Sequence, residues 1–157
     1  MYLISACLAG VNCKYNGGNN ERSWVREFMK DKDYMLVCPE ALGELPTPRP
    51  PSEFQGGRAI DKNGRDITEN LISGAEKTLA KAEKKAAELG QKIELAILKA
   101  NSPSCGSGKI YDGTFSGVLI DGDGIFAAML KERGIPVINE NQREEAEKHE
   151  TEYNNQK

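Results

Sequence analysis

A chain of 157 residues with a net charge of −3 is the size of one domain and long enough to bury a core. That charge excludes a broad electrostatic interface for nucleic acid, so no stable duplex binding is expected, although a free nucleobase or short single strand is not excluded. Apolar runs under ten residues exclude a bilayer span. The opening Met1-Tyr-Leu-Ile-Ser-Ala6 lacks a basic, then long apolar leader, which predicts a cytoplasmic protein.

Residues 2–6 read as a first strand ending at Cys7. The stretch from Leu8 to Asn20, which contains Cys13, is too rich in Gly and Asn to be regular throughout. Trp24, Val25, Phe28 and Met29 recur at helical spacing within residues 21–30, and residues 34–38 form a second strand closed by Pro39. Residues 39–58 read as loop, with five prolines and the pair Gly56-Gly57. Because they lie inside one small domain and carry Glu40, Glu44, Arg49, Glu53 and Arg58, an active-site loop is expected rather than a spacer.

Asp66 or Thr68 caps a long helix that runs to about Leu89, with Gly90 as its stop and one apolar stripe through Leu71, Ala75, Leu79, Ala82 and Ala86. Residues 93–98 are a third strand, apolar enough to be buried on both faces. It stops at Lys99-Ala-Asn-Ser-Pro-Ser-Cys-Gly106, where Pro103 cannot donate to a ladder. Residues 113–120 read as a short strand or extended loop, 124–133 as a helix and 135–138 as the last strand. The G-x-G-x-x-A match at Gly122–Ala127 comes too late for a dinucleotide fold and reads as helix packing or a turn. Residues 1–140 then make the domain, and 141–157 a polar tail, at best a surface helix fraying before Lys157, with His149 facing solvent. The expected fold is α/β: a single-domain, doubly wound, mainly parallel Rossmann-like sheet with helices on both faces.

In that fold Cys7, Cys38 and Cys105 each end or closely follow a strand, so all three can converge on one sheet edge. Four cysteines in a reducing compartment are not expected as disulfides, and no Cys-x-x-Cys pair supports a ribbon or thioredoxin motif. Three convergent thiolates suit an iron–sulfur cluster or, less well, zinc. With three ligands one iron stays open to substrate, whereas Cys13 as a fourth would close the site. Glu40 can activate water or shuttle protons, and Ser102 can position that water or act as a nucleophile. Ser104, Arg49 and Lys99 are the candidate substrate-binding groups. The two cations, with Arg58, alternatively offset cluster charge or face solvent.

At these residues the chain resembles the TudS-type thiouracil desulfurase (desulfidase) family of small bacterial proteins. The matching pieces are Ser5-Ala-Cys7-Leu-Ala-Gly with Lys14-Tyr15-Asn-Gly, Cys38-Pro-Glu40 running through Leu45-Pro-Thr-Pro-Arg49 to Glu53, Leu98-Lys99-Ala-Asn-Ser102-Pro-Ser-Cys105-Gly, and Gly124-Ile-Phe-Ala-Ala. The resemblance implies a 4Fe–4S cluster held by Cys7, Cys38 and Cys105, with its fourth iron binding the sulfur of a thiolated pyrimidine. Water, helped by Glu40 and Ser102, would replace that sulfur to give uracil and sulfide. Two departures stand out: Glu44 where a glycine is expected before Leu-Pro, and Cys13 in place of a non-cysteine. The alternative is a non-catalytic cluster or zinc module, a redox sensor or accessory protein, using all four cysteines. A metal-free thiol hydrolase ranks last, for want of a well-placed histidine. The sequence leaves the oligomeric state open, a homodimer among the options.

Overall fold

Tyr2 and Ile4 turn to one side of the first strand and Leu3 to the other, and all three are buried. The same split separates Leu95 and Ile97 from Ala96 and Leu98. Strand side chains alternate between faces, so runs that are apolar at every position need cover on both. In the computed structural model, which describes residues 1–155, helices supply that cover. In chain order the elements are β1 (Tyr2–Ser5), α1 (Ser23–Met29), β2 (Tyr34–Val37), α2 (Pro39–Leu42), β3 (Ser52–Gln55), β4 (Arg58–Asp61) and α3 (Thr68–Glu88). They continue as β5 (Leu95–Leu98), β6 (Lys109–Tyr111), β7 (Leu119–Asp121), α4 (Ile125–Glu132), β8 (Val137–Asn139) and α5 (Arg143–Asn155).

Four strands pair in parallel in the order β2-β1-β5-β8. On one face α3 and α4 bury Ala75, Leu79, Phe126 and Leu130 against Leu3, Val37, Ala96 and Leu98. On the other, α1 and α5 place Val25 and Ala146 among Tyr2, Ile4, Leu95, Ile97 and Ile138. This is the doubly wound α/β sheet that the apolar pattern predicts. The chain goes from β1 to β2 on one side and later enters β5 on the other side of β1. Strand order therefore reverses between β1 and β5, and the crevice beyond their C-terminal ends is where open α/β sheets take ligands.

Two contacts set the segment after β2 and the helix it rests on. The stripe on α3 includes Gly74, where a Cβ would lie 1.9 Å from the Pro39 carbonyl oxygen. Only glycine lets α2, and with it the Cys38–Glu40 segment, lean this close on α3. At the helix start the Thr68 N–H donates to Asp66 Oδ1 at 2.9 Å, serving one of the N–H groups that no helical carbonyl reaches.

Some expectations change. Residues 39–58 are not all loop, because β3 and β4 pair as an antiparallel hairpin. Its two-residue turn, Gly56-Gly57, has φ of +55° and +80°, as a turn matching the strand twist demands. Lys109–Tyr111 is a strand in a second hairpin, paired with β7. Gly124 presses on the carbonyls of Ser102 and Ser104, which makes the Gly122–Ala127 motif a packing feature. His149 is half-buried rather than solvent-facing: it packs edge-on to Tyr2, stacks on Tyr153, and puts Nε2 3.5 Å from Glu94 Oε1. The buried Glu94 draws it in, and a fully buried Ala146 seats the rest of α5. Fraying before Lys157 concerns residues outside those described. Among the described residues no helix is long and apolar enough to cross a membrane.

Candidate metal centre and active site

Beyond β1 the chain tightens into a 3₁₀ turn, Ala6–Ala9, that carries Cys7 at the sheet edge. The Cys7 carbonyl accepts from the Asn20 N–H at 2.9 Å, so residues 10–20 fold back and carry Cys13 toward the same edge. Beyond β2, Cys38 precedes α2 and the Ala41 N–H points to its sulfur. Beyond β5, Ser102 Oγ accepts from the N–H groups of Ser104 at 3.1 Å and Cys105 at 2.7 Å, winding the loop so that Cys105 turns inward. Ser5 joins two of these segments: its hydroxyl accepts from the Lys99 N–H at 2.9 Å and bonds the Cys105 sulfur.

These loops enclose a cavity of about 470 Å³, a volume suited to a small molecule. All four cysteines line it, with Glu40, Arg49, Lys99 and Ser102. All four are free thiols. The Cys13 thiol lies within hydrogen-bonding reach of both Cys7 and Cys38, and with one proton to give it serves one of them at a time. Its bond lowers the pKa of Cys7 and, with the Ala41 N–H and the Arg49 charge, that of Cys38 to about 6, while Cys13 itself is raised. Burial pushes Cys105 up, against the pull of the Ser5 hydroxyl. Soft donors, two of them biased toward thiolate, have the chemistry iron favours, while among the described residues no three such side chains close on a single metal ion.

The remaining groups are not equally free. Arg49 is buried, and its Nη atoms donate to the Thr47 hydroxyl at 2.9 Å, the Pro46 carbonyl at 3.3 Å and the Cys13 carbonyl at 2.9 Å. It clamps the proline-rich loop to the Cys13 loop and lies 3.5 Å from Glu40 Oε2. Lys99 Nζ is held by Glu140 Oε2 and the Ala100 carbonyl, both at 3.0 Å. Ser104 is wholly buried, does not line the cavity, and has no partner for its hydroxyl among the described residues. By contrast, the Glu40 carboxylate makes no hydrogen bond among the described residues. Lining residues given no role in the sequence reading include Tyr15, Tyr111 and Phe115, while Glu53 was expected only as one of the charged groups on the active-site loop. Tyr15 and Glu53 lie inside the matching motifs, whereas Phe115 carries no sequence signal beyond its glycine-flanked run.

The chain as a whole has similar proteins. A family model described as 2-thiouracil desulfurase matches residues 2–142. The chain is 43 % identical over 152 residues to YbbK, an uncharacterized protein of Bacillus subtilis (strain 168), covering 90 % of this chain and 97 % of that one. It is also similar to the solved structure of the [4Fe-4S]-dependent thiouracil desulfidase TudS, with a TM-score of 0.80 and 39 % identity. That match spans 92 % of this chain and 93 % of the other. With motifs, sheet topology and near full-length similarity in agreement, the chain belongs to the 2-thiouracil desulfurase family.

Proposed function

We propose that this chain is a 4Fe–4S-dependent desulfurase that exchanges the sulfur of a thiolated pyrimidine, such as thiouracil, for the oxygen of water. The observation that carries this reading is the convergence of Cys7, Cys38 and Cys105, from three different strand ends, on one cavity that also holds Glu40 and Ser102. The donor set fits the cluster: soft sulfurs lining one cavity, with Cys7 and Cys38 already drawn toward the ligating thiolate form. When bound, the cluster supplies a thiophilic, electron-withdrawing iron that weakens a carbon–sulfur bond.

Converting C=S to C=O consumes one water and yields one sulfide with no change in oxidation state, so no reductant is required. Glu40, uncommitted to any hydrogen bond, takes a proton from the attacking water and returns it to the departing sulfur. A hydroxyl oxygen has two lone pairs, and those of Ser102 are occupied by the N–H groups of Ser104 and Cys105. Its proton is what remains to offer, so Ser102 positions water or substrate as a donor and is not the nucleophile. Arg49 and Lys99 contribute positive charge to the wall, and Ser104 acts only through its backbone. Four free thiols suit the reducing cytoplasm, where we place the reaction.

One observation favours a second reading. The position of Cys13 beside Cys7 and Cys38 suits a closed four-thiol site, hence a non-catalytic cluster module, whereas for a single ion such as zinc no three such side chains are placed together among the described residues. The experiment is iron and acid-labile sulfide per chain after anaerobic purification, followed by sulfide release from thiouracil. About four iron and four sulfide are expected, with turnover. No iron after anaerobic reconstitution overturns the proposal.

A further inference from the structure

Glu53, on β3, is a carboxylate only 8 % exposed, and buried carboxylates need partners. Among the described residues it forms no ion pair. One of its oxygens is fully used: Oε1 accepts from the Gly113 N–H at 3.0 Å and the Phe115 N–H at 3.1 Å. The other, Oε2, takes no hydrogen bond among the described residues, yet it is not sealed away from solvent, and Glu53 lines the cavity. Oε2 is therefore an unused acceptor on a residue of the cavity wall.

The loop that Glu53 holds is itself unusual. Phe115 sits at φ +56°, a conformation that bulky L-residues rarely adopt. It is held there by the Glu53 bond, and Gln55 Nε2 ties the Gly113 carbonyl at 2.8 Å. Strained residues persist where their surroundings over-determine them, often at ligand clamps. Phe115 lines the same cavity as Tyr15 and Tyr111, so three aromatic residues share it with Glu53. Aromatic faces accept a flat ring, and a carboxylate oxygen accepts only from a donor.

We propose that Glu53 is a specificity residue, with Oε1 pinning Phe115 over the substrate ring and Oε2 reading a ring N–H of the base. This rests on the reading that the substrate is a thiolated pyrimidine, and it deepens that reading by naming the edge recognised. A uracil-type ring offers N–H donors at N1 and N3, so methylation of the nitrogen that faces Glu53 replaces the donor with a clash. A Glu53→Gln variant keeps a carbonyl oxygen for the loop N–H groups but turns an amide donor toward the ring N–H.

The test uses anaerobic holoenzyme and three probes, uracil, 1-methyluracil and 3-methyluracil, as calorimetric ligands and as inhibitors of thiouracil turnover. Wild type is expected to bind uracil at least about tenfold better than one of the two methylated bases, the range a charge-assisted hydrogen bond supports. E53Q should weaken uracil by about 10- to 100-fold, raise KM for thiouracil in parallel with little change in kcat, and lose the discrimination between methyl positions. Wild type that accepts both methylated bases like uracil overturns the assignment, and needs no variant to do so. An E53Q protein that keeps uracil affinity and discrimination overturns it as well. Sulfide release from thiouracil with a flat methyl series defeats Glu53 alone, whereas no turnover and no uracil binding defeats both readings.

Discussion

The two ends of the parallel sheet are built from the same strands and treat polar groups in opposite ways. At the N-terminal end, the Met1 ammonium donates to Gln91 Oε1 at 2.7 Å, the Lys92 carbonyl at 2.9 Å and Glu94 Oε2 at 3.2 Å. Glu94 also faces the Tyr2 hydroxyl, whose pKa is raised by burial and by that carboxylate, and His149 approaches its other oxygen. At the C-terminal end, four thiols share a cavity, and among the described residues Glu40 has only a 3.5 Å approach from Arg49 while Arg49 Nε and Ser104 Oγ have no hydrogen-bond partner. Polar capacity is spent mainly on holding the fold at one end, where among the described residues His149 Nε2 is a buried side-chain atom without a hydrogen bond, and is left available at the other. Damage at the two ends should therefore be read by different instruments.

The largest effect is expected at the site. Cys7→Ser, Cys38→Ser and Cys105→Ser should each drop iron and labile sulfide from about four per chain toward zero, with folding retained by circular dichroism. Cys13→Ser should keep both; loss in C13S as well would favour the four-thiol reading. Glu40→Gln should lower kcat by about 10²- to 10⁴-fold, the usual worth of a general acid–base, at unchanged iron content. At the opposite end, Glu94→Ala leaves a buried ammonium without its counter-charge. The expected cost is about 3–5 kcal/mol in urea unfolding, with kcat per folded molecule unaltered. A catalytic defect in E94A would break the separation of the two ends.

Legibility in the sequence divides along the same line. The sheet and the convergence of three cysteines could be read because β1, β2 and β5 are apolar runs that stop abruptly at Cys7, Pro39 and Lys99. Ser102 was legible by its motif, but its neighbour Ser104 looked equivalent. Only the packing of Gly124 on this loop, and the two N–H bonds to Ser102, separate a wall residue from a buried one. The β3–β4 hairpin was hidden by proline composition even though Gly56-Gly57 is a turn signal between two short strands. Phe115 depends on bonds to Glu53 across 62 positions, which local pattern cannot register. His149 was misjudged because α5 is polar, and the buried carboxylate that holds it lies on another element.

Asp66 sharpens the contrast within the site's own half of the molecule. Unlike Glu40, it is a carboxylate already served: Thr68 donates to it through backbone and side chain, and Arg58 Nε donates at 2.9 Å. Those bonds, the Thr68 hydroxyl foremost, lower its pKa from 3.8 to about 2. A folded pKa below the unfolded one stabilises the protein above the unfolded value, and that part is lost as pH falls through the folded value. The gap in urea midpoint between wild type and Asp66→Asn should stay constant above about pH 5 and close between about pH 4 and pH 2. The gap should be small, because the group is exposed and screened by solvent. A gap that stays level across that window would mean that Thr68 and Arg58 hold the protonated and ionised forms alike, and Asp66 would then stand closer to Glu40 than its hydrogen bonds imply.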